Sequence, residues 1–327
     1  MKTSVLAGLL SILLTIILGF LILPFLKRLK IGQPILKYVK EHAKKSGTPT
    51  MGGLFFMIAS TALFFMFSSG KNRLGVLVVS ISLAFMLVGF IDDFIKIKFS
   101  KNEGLTVIQK LTFQIVISLI ASYFAYESGL DFLFIPFTAK KVTLGVYSIP
   151  INSLIFVATV NAVNLTDGLD GLCASVSAVY FIVIGVVILL QIKLNDTIYV
   201  VINEYKNVSL FSIILAGSML GYLLFNTHKA SVFMGDTGSL AIGGAISSIS
   251  IFSGNTLYLP VLGVCFVLSA VTVIIQVLYY KRTKKRVFLM SPIHHHFQKL
   301  GYSEGKISYA YFLITLVLGL VSIICYL

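Results

Sequence analysis

Long apolar runs, each closed by a polar stretch, dominate this chain. A helix needs about 20 mostly apolar residues to cross a bilayer, with a range of roughly 17–25. Ten such runs can be read, at 4–26, 51–68, 74–91, 110–127, 148–163, 172–191, 208–226, 238–254, 257–280 and 307–326. The fifth is the shortest and carries Asn152 and Asn161. The first has the outline of a signal peptide, yet it is long enough to span, lacks a small-residue cleavage site and runs straight into KRLK. The pattern predicts an all-α polytopic membrane protein of ten transmembrane helices. One stretch departs from it. Around 131–148, β-branched and aromatic residues alternate about Lys140 and Lys141, which predicts a short β-hairpin with a structural role.

Composition agrees with this reading. Of 327 residues 57% are hydrophobic and 12% charged, and the mean hydropathy is +0.97. A soluble domain is about one quarter charged, so a soluble enzyme with a large core is excluded. Cys173, Cys265 and Cys325 sit in apolar runs and show neither disulfide nor metal spacing.

Charge orients the bundle. The segments 27–50, 92–110, 164–171, 227–237 and 281–306 hold 19 of the 26 Lys and Arg residues, and the alternate set holds seven. The positive-inside rule assigns the first set to the cytoplasm, which leaves both termini and the hairpin outside. A single membrane domain, 1–327, with five cytoplasmic loops follows. The net charge of +14 serves this orientation and suits an anionic ligand or lipid headgroup; nucleic acid is not an expected partner.

The acids add chemistry. Eight of twelve fall on the predicted cytoplasmic side: Glu41, Asp92, Asp93, Glu103, Asp167, Asp170, Asp236 and Glu304. In DDFIK (92–96), Lys96 is four residues from Asp92 and three from Asp93, within reach of either on a helix. The pair could be solvated charges at a helix end, or a metal or base group beside a phosphate-binding one. NLTDGLDGL (164–172) could be a capped turn between spans. A cap needs one polar residue, however, and this loop has four plus Gly168 and Gly171, which permit close backbone approach. In FMGDTGS (233–239), Asp236 could cap a helix or hold magnesium, whose usual ligands are one or two carboxylates with substrate phosphates. Phe233 could face lipid or stack on a base. His294, His295 and His296 follow Pro292 in a basic loop; consecutive residues do not converge on one zinc ion, and phosphate contact or proton transfer fits better.

TPTMGG, DDFIK, NLTDGLDGL, FMGDTGS and PIHHHF occur in this order on a ten-span pattern. Together they closely resemble the phospho-N-acetylmuramoyl-pentapeptide-transferase family, the lipid I synthases of the polyprenyl-phosphate N-acetylhexosamine-1-phosphate transferase superfamily. The likeness runs from about Lys27 to Leu327. The unbroken PIHHHF points to the muramoyl-pentapeptide branch.

The resemblance implies a Mg2+-dependent bacterial plasma-membrane enzyme, commonly a homodimer, with its site on the cytoplasmic face. Such an enzyme moves phospho-MurNAc-pentapeptide from UDP-MurNAc-pentapeptide to undecaprenyl phosphate, giving lipid I and UMP in peptidoglycan synthesis. It implies Asp92, Asp93 and Asp236 as catalytic acids, with Asp236 and Asp167 toward the metal. Substrate contacts carried over are Lys45, Thr50, Lys96, Lys110, Asn164, Asp167, Gly168, Leu169, Asp170, Asn226, Phe233, Gln276, His294, His295 and His296. Direct attack by the lipid phosphate and a two-step covalent route both remain open. So do two other functions, GlcNAc-1-phosphate transfer to the same lipid and an ion-coupled carrier. A carrier would place polar groups deep in the spans, where Gln114 and Gln276 are among few.

Overall fold

The computed structural model describes residues 2–28, 47–99, 104–138, 140–194 and 199–326. The chain folds as helices α1 (Lys2–Arg28), α2 (Gly53–Phe67), α3 (Arg73–Lys98), α4 (Val107–Glu127), α5 (Ser148–Thr166), α6 (Leu172–Leu194), α7 (Tyr199–Asn226), α8 (Gly235–Phe252), α9 (Leu259–Leu262), α10 (Val264–Thr283), α11 (Ile293–Lys299) and α12 (Glu304–Ile324). Between α4 and α5, β1 (Phe132–Phe134) pairs antiparallel with β2 (Lys141–Thr143), Leu133 opposite Val142. Among the described residues, eight helical segments are long and apolar enough to cross a membrane, and the chain is a multi-pass membrane protein.

Of the ten expected spans, the helices over 53–67 and 235–252 are not among those eight. Helix α2 is apolar and has 15 residues, only slightly fewer than the usual roughly 17–25 residues of a span. Helix α8 lies in the interior, with every residue from Gly235 to Phe252 buried except Asp236. A helix covered by its neighbours does not need an apolar surface, and α8 is accordingly rich in glycine and serine. It packs on α3, α5 and α2. By contrast α1 leaves Leu9, Leu13, Phe20, Leu21 and Phe25 exposed, as a lipid-facing helix should. It is fixed to α7 on its other side, where the Ser11 hydroxyl donates to the Ile214 carbonyl at 2.8 Å.

Three local features set the site. Helix α3 continues to Lys98 instead of stopping near 91, so Asp92 and Asp93 lie within a helix. Helix α4 starts at a capping box: Thr106 Oγ1 accepts from Gln109 N–H at 3.3 Å, and Gln109 Oε1 accepts from Thr106 N–H at 3.0 Å. The apolar run at 257–280 is broken at Gly263, where α9 ends and α10 begins.

Candidate active site

The last turns of α3, the first turn of α4, the end of α5 and the start of α8 meet at one end of the bundle. Helix α3 can approach α8 closely because position 89 is glycine; a Cβ there would lie 2.0 Å from the Asp236 carbonyl oxygen.

Adjacent helical residues point about 100° apart, and Asp92 and Asp93 take different partners. Asp93 is fully buried. Its Oδ2 accepts from the Thr237 backbone N–H at 2.9 Å and from the Thr237 hydroxyl at 2.7 Å. Thr237 is in the first turn of α8, so Asp93 satisfies an amide that the helix leaves open and places a negative charge at its positive end. Asp92 points toward α4. Its Oδ1 accepts from Leu105 N–H at 2.9 Å.

Lys96 joins the acids. Its Nζ lies 2.6 Å from Asp92 Oδ2, 2.7 Å from Asp236 Oδ2 and 3.9 Å from Asp93 Oδ1. Lys110 Nζ reaches the same Asp236 oxygen at 3.1 Å. The other Asp236 oxygen accepts from Asn164 Nδ2 at 2.6 Å, and that amide also donates to Ser239 Oγ at 2.8 Å. Asp236 therefore does not cap its own helix; two lysines and an asparagine hold it. Each of Asp92, Asp93 and Asp236 offers an oxygen within 4.8 Å of the others. An all-carboxylate, all-oxygen set fits a hard cation such as magnesium. The remaining Asp93 oxygen, Oδ1, has no hydrogen-bond partner among the described residues.

A cavity of about 600 Å³ opens beside this cluster, within the range of small-ligand sites. Asp92, Lys96, Lys110 and Asp236 form one wall; Leu105, Val107, Leu111, Gln114 and Asn161 are among the residues that line the rest. Asn161 Nδ2 donates to Gln114 Oε1 at 2.7 Å, which leaves Gln114 Nε2 without a partner among the described residues. Gln114 and Asn161 are site residues that the motifs did not indicate. Their signal was weak: amides in otherwise apolar runs. Thr237 and Ser239 were hidden inside a motif in which Asp236 drew the attention.

Other expected residues gather nearby. Phe233 N–H donates to the Pro49 carbonyl at 2.8 Å and Gly52 N–H to the Phe233 carbonyl at 2.9 Å, so TPTMGG and FMGDTGS clasp each other. Their junction requires glycine at 235, with φ of +71°, where a Cβ would fall 2.4 Å from Thr50 Oγ1 and 2.5 Å from Asp93 Oδ2. Asp167 and Asp170 would share a face on a helix, but α5 ends at Thr166 and they diverge. Asp170 Oδ2 accepts from Ala230 N–H at 3.2 Å. Asn226 accepts from Gly171 N–H at 3.2 Å and donates to the Val232 carbonyl at 3.0 Å, which ties this loop to the turn before α8. Asp167 is half-buried on that loop. Burial pushes its carboxyl up to about 8, and the charges of Asp236, Asp93 and Asp170 act in the same direction. Leu169 is buried under the loop.

The histidines split. A Cβ on Gly168 would lie 2.5 Å from His294 Nε2 and 3.0 Å from His295 Nε2, so these two pack on the NLTDGLDGL loop. His296 turns away, and its Nδ1 accepts from Leu289 N–H at 3.2 Å. Gln276 braces the same basic loop, with Oε1 accepting from Val287 and Phe288 N–H at 3.0 Å each and Nε2 donating to the Phe288 carbonyl at 3.1 Å. Lys45 lies outside the described residues.

Known proteins share this arrangement of sequence. The family model for glycosyl transferase family 4 matches residues 74–254, and signature 1 of phospho-N-acetylmuramoyl-pentapeptide-transferase matches residues 45–57. A phospho-N-acetylmuramoyl-pentapeptide-transferase of Caldanaerobacter subterraneus subsp. tengcongensis is 42% identical over 97% of this chain and 96% of its own. Proteins of the same name from Clostridium botulinum (strain Alaska E43) and Halalkalibacterium halodurans are 40% and 39% identical, covering 95% and 98% of this chain and 92% and 97% of theirs.

Proposed function

The chain belongs to the phospho-N-acetylmuramoyl-pentapeptide-transferase family, and on that premise we propose that it makes lipid I in peptidoglycan synthesis. It transfers phospho-MurNAc-pentapeptide from UDP-MurNAc-pentapeptide to undecaprenyl phosphate and releases UMP. The observation that carries this reading is a cluster of three carboxylates, two of which, Asp92 and Asp236, share the wall of one cavity with Lys96 and Lys110.

The chemistry explains the residues. A diphosphate donor and a phosphate acceptor repel each other, so catalysis is mainly alignment and charge neutralisation. Magnesium, held by Asp236 with Asp92 or Asp167 beside it, would neutralise the diphosphate. Lys110 and Lys96 offer ammonium groups to an acceptor phosphate in the cavity. Asp92 takes up any proton remaining on that phosphate as its oxygen attacks the donor directly. Asp93 holds the start of α8, and so Asp236, in register. Thr50, Asn164, Asp170, Asn226, Phe233 and Gln276 support or contact the nucleoside, and the histidines meet the donor through the NLTDGLDGL loop.

The reading extends to the bundle: a homodimer in the bacterial plasma membrane, ten spans, one membrane domain, both termini and the β1–β2 hairpin outside, and the cavity on the cytoplasmic face. An acceptor fixed in the membrane and a soluble nucleotide can meet only at that interface.

The test is UMP release by detergent-solubilised protein with undecaprenyl phosphate. Release from UDP-MurNAc-pentapeptide, abolished by a chelator and restored by Mg2+, is expected. Release from UDP-GlcNAc instead would assign the related GlcNAc-1-phosphate activity. A phospho-MurNAc-protein species formed with nucleotide substrate alone would refute direct attack.

A further inference from the structure

Lys96 has an unusual position for a substrate-binding lysine. Its ammonium lies among all three carboxylates, 2.6, 2.7 and 3.9 Å from Asp92, Asp236 and Asp93. The same three acids are the group able to hold a cation. Lys96 Nζ thus occupies the place where a divalent ion would find its oxygens. Asp236 Oδ2, the oxygen nearest to both lysines, is 2.7 Å from Lys96 and 3.1 Å from Lys110. Magnesium binds carboxylate oxygen at about 2.0–2.1 Å. An ion at that oxygen would stand next to the Lys96 ammonium, in a part-buried place where water screens poorly.

We infer that Lys96 is a resident counter-ion, which balances the three acids when the site has no metal and which the divalent ion displaces. This deepens the proposed function and rests on its metal site. A fully buried Asp93 and a buried Asp92 cannot remain charged in the empty site without a cation, and Lys96 supplies one from the same helix. Displacement also has a use. Lys96 lines the cavity, so an ammonium freed from the acids stays on the wall and can meet the acceptor phosphate. One side chain then links metal binding to the readiness of the acceptor site.

The experiment is a titration of the full-length solubilised protein with Mn2+, reading free Mn2+ by electron paramagnetic resonance. Asp236→Asn tests the underlying site. If the protein binds Mn2+ and Asp236→Asn weakens binding tenfold or more, the metal reading stands. If neither binds, that reading fails and this inference with it. Lys96→Met tests the inference itself: it should bind Mn2+ at least about fivefold more tightly than the parent, whereas Lys96→Arg, which keeps the charge, should not. Lys110→Met should gain less, since Lys110 meets Asp236 alone among these acids. Equal affinity of Lys96→Met and parent would overturn the proposal. Should Lys96→Met fail to fold, the parent protein still decides. Acylation of Lys96, read by peptide mass spectrometry, should speed up when Mn2+ saturates the site; an unchanged rate at full Mn2+ occupancy would overturn the proposal.

Discussion

Asp92 and Asp93 are neighbours with separate work, and the difference lies in what each faces. Asp93 receives two hydrogen bonds from Thr237 and is sealed from solvent. Asp93→Asn would turn a donor amide toward a place that holds only donors, so about 1–3 kcal/mol of stability should go, seen as a lower melting temperature in detergent. Asp92→Asn leaves the start of α8 intact. It should melt near the parent temperature while UMP release falls by about 10²–10⁴. Equal melting losses in the two variants would refute the division. The DD motif and its lysine were readable from spacing, because i to i+4 reach is a property of one helix. Which acid turns inward was not readable. It depends on the side from which α8 approaches, and no local pattern records that.

Helices α3 and α8 form the seam that carries the site, and Gly89 sets how closely they meet. Gly89→Ala would drive a methyl group into the Asp236 carbonyl at 2.0 Å, so the helices must part. Lys96 and Asp92 ride on α3 and Asp236 on α8, so parting should lower UMP release tenfold or more, a loss of about 1.4 kcal/mol of transition-state stabilisation. Gly305→Ala in α12 is the control, because nothing lies within 4 Å of the added carbon, and it should keep full rate. The apolar runs located α3 and α8. They misjudged helix ends where tertiary contact intervenes. The reading stopped α3 at its first charges, yet the helix continues because Lys96 and Thr237 satisfy those charges. It continued the 257–280 run through Gly263, where the backbone breaks. Gln276 reads as a polar residue in a span, and only the fold reveals that its amide holds Val287 and Phe288 in the basic loop.

At the scale of the whole molecule, orientation is a charge argument with a chemical consequence. The motif-bearing segments carry most of the lysine and arginine, and the proposed orientation opens the cavity to a soluble nucleotide on the cytoplasmic side. The end of α12 is opposite in sequence order, one span beyond the basic loop that carries the histidines. If α12 crosses the membrane once, Cys325 and Lys285 lie on different sides. Cys325 is exposed, whereas Cys173 and Cys265 are buried, so the native chain has one accessible reporter among its thiols. A membrane-impermeant maleimide should label Cys325 in intact spheroplasts. In a Cys325→Ser background, Lys285→Cys should label only after permeabilisation. The reverse pattern would turn the bundle over and put the three acids outside, where UDP-linked donors are absent. Labelling of both without permeabilisation would mean that α12 does not span. The expected pattern instead leaves the α3–α8 seam where a lipid phosphate in the inner leaflet and a nucleotide from the cytosol can reach Lys96 and Asp236 together.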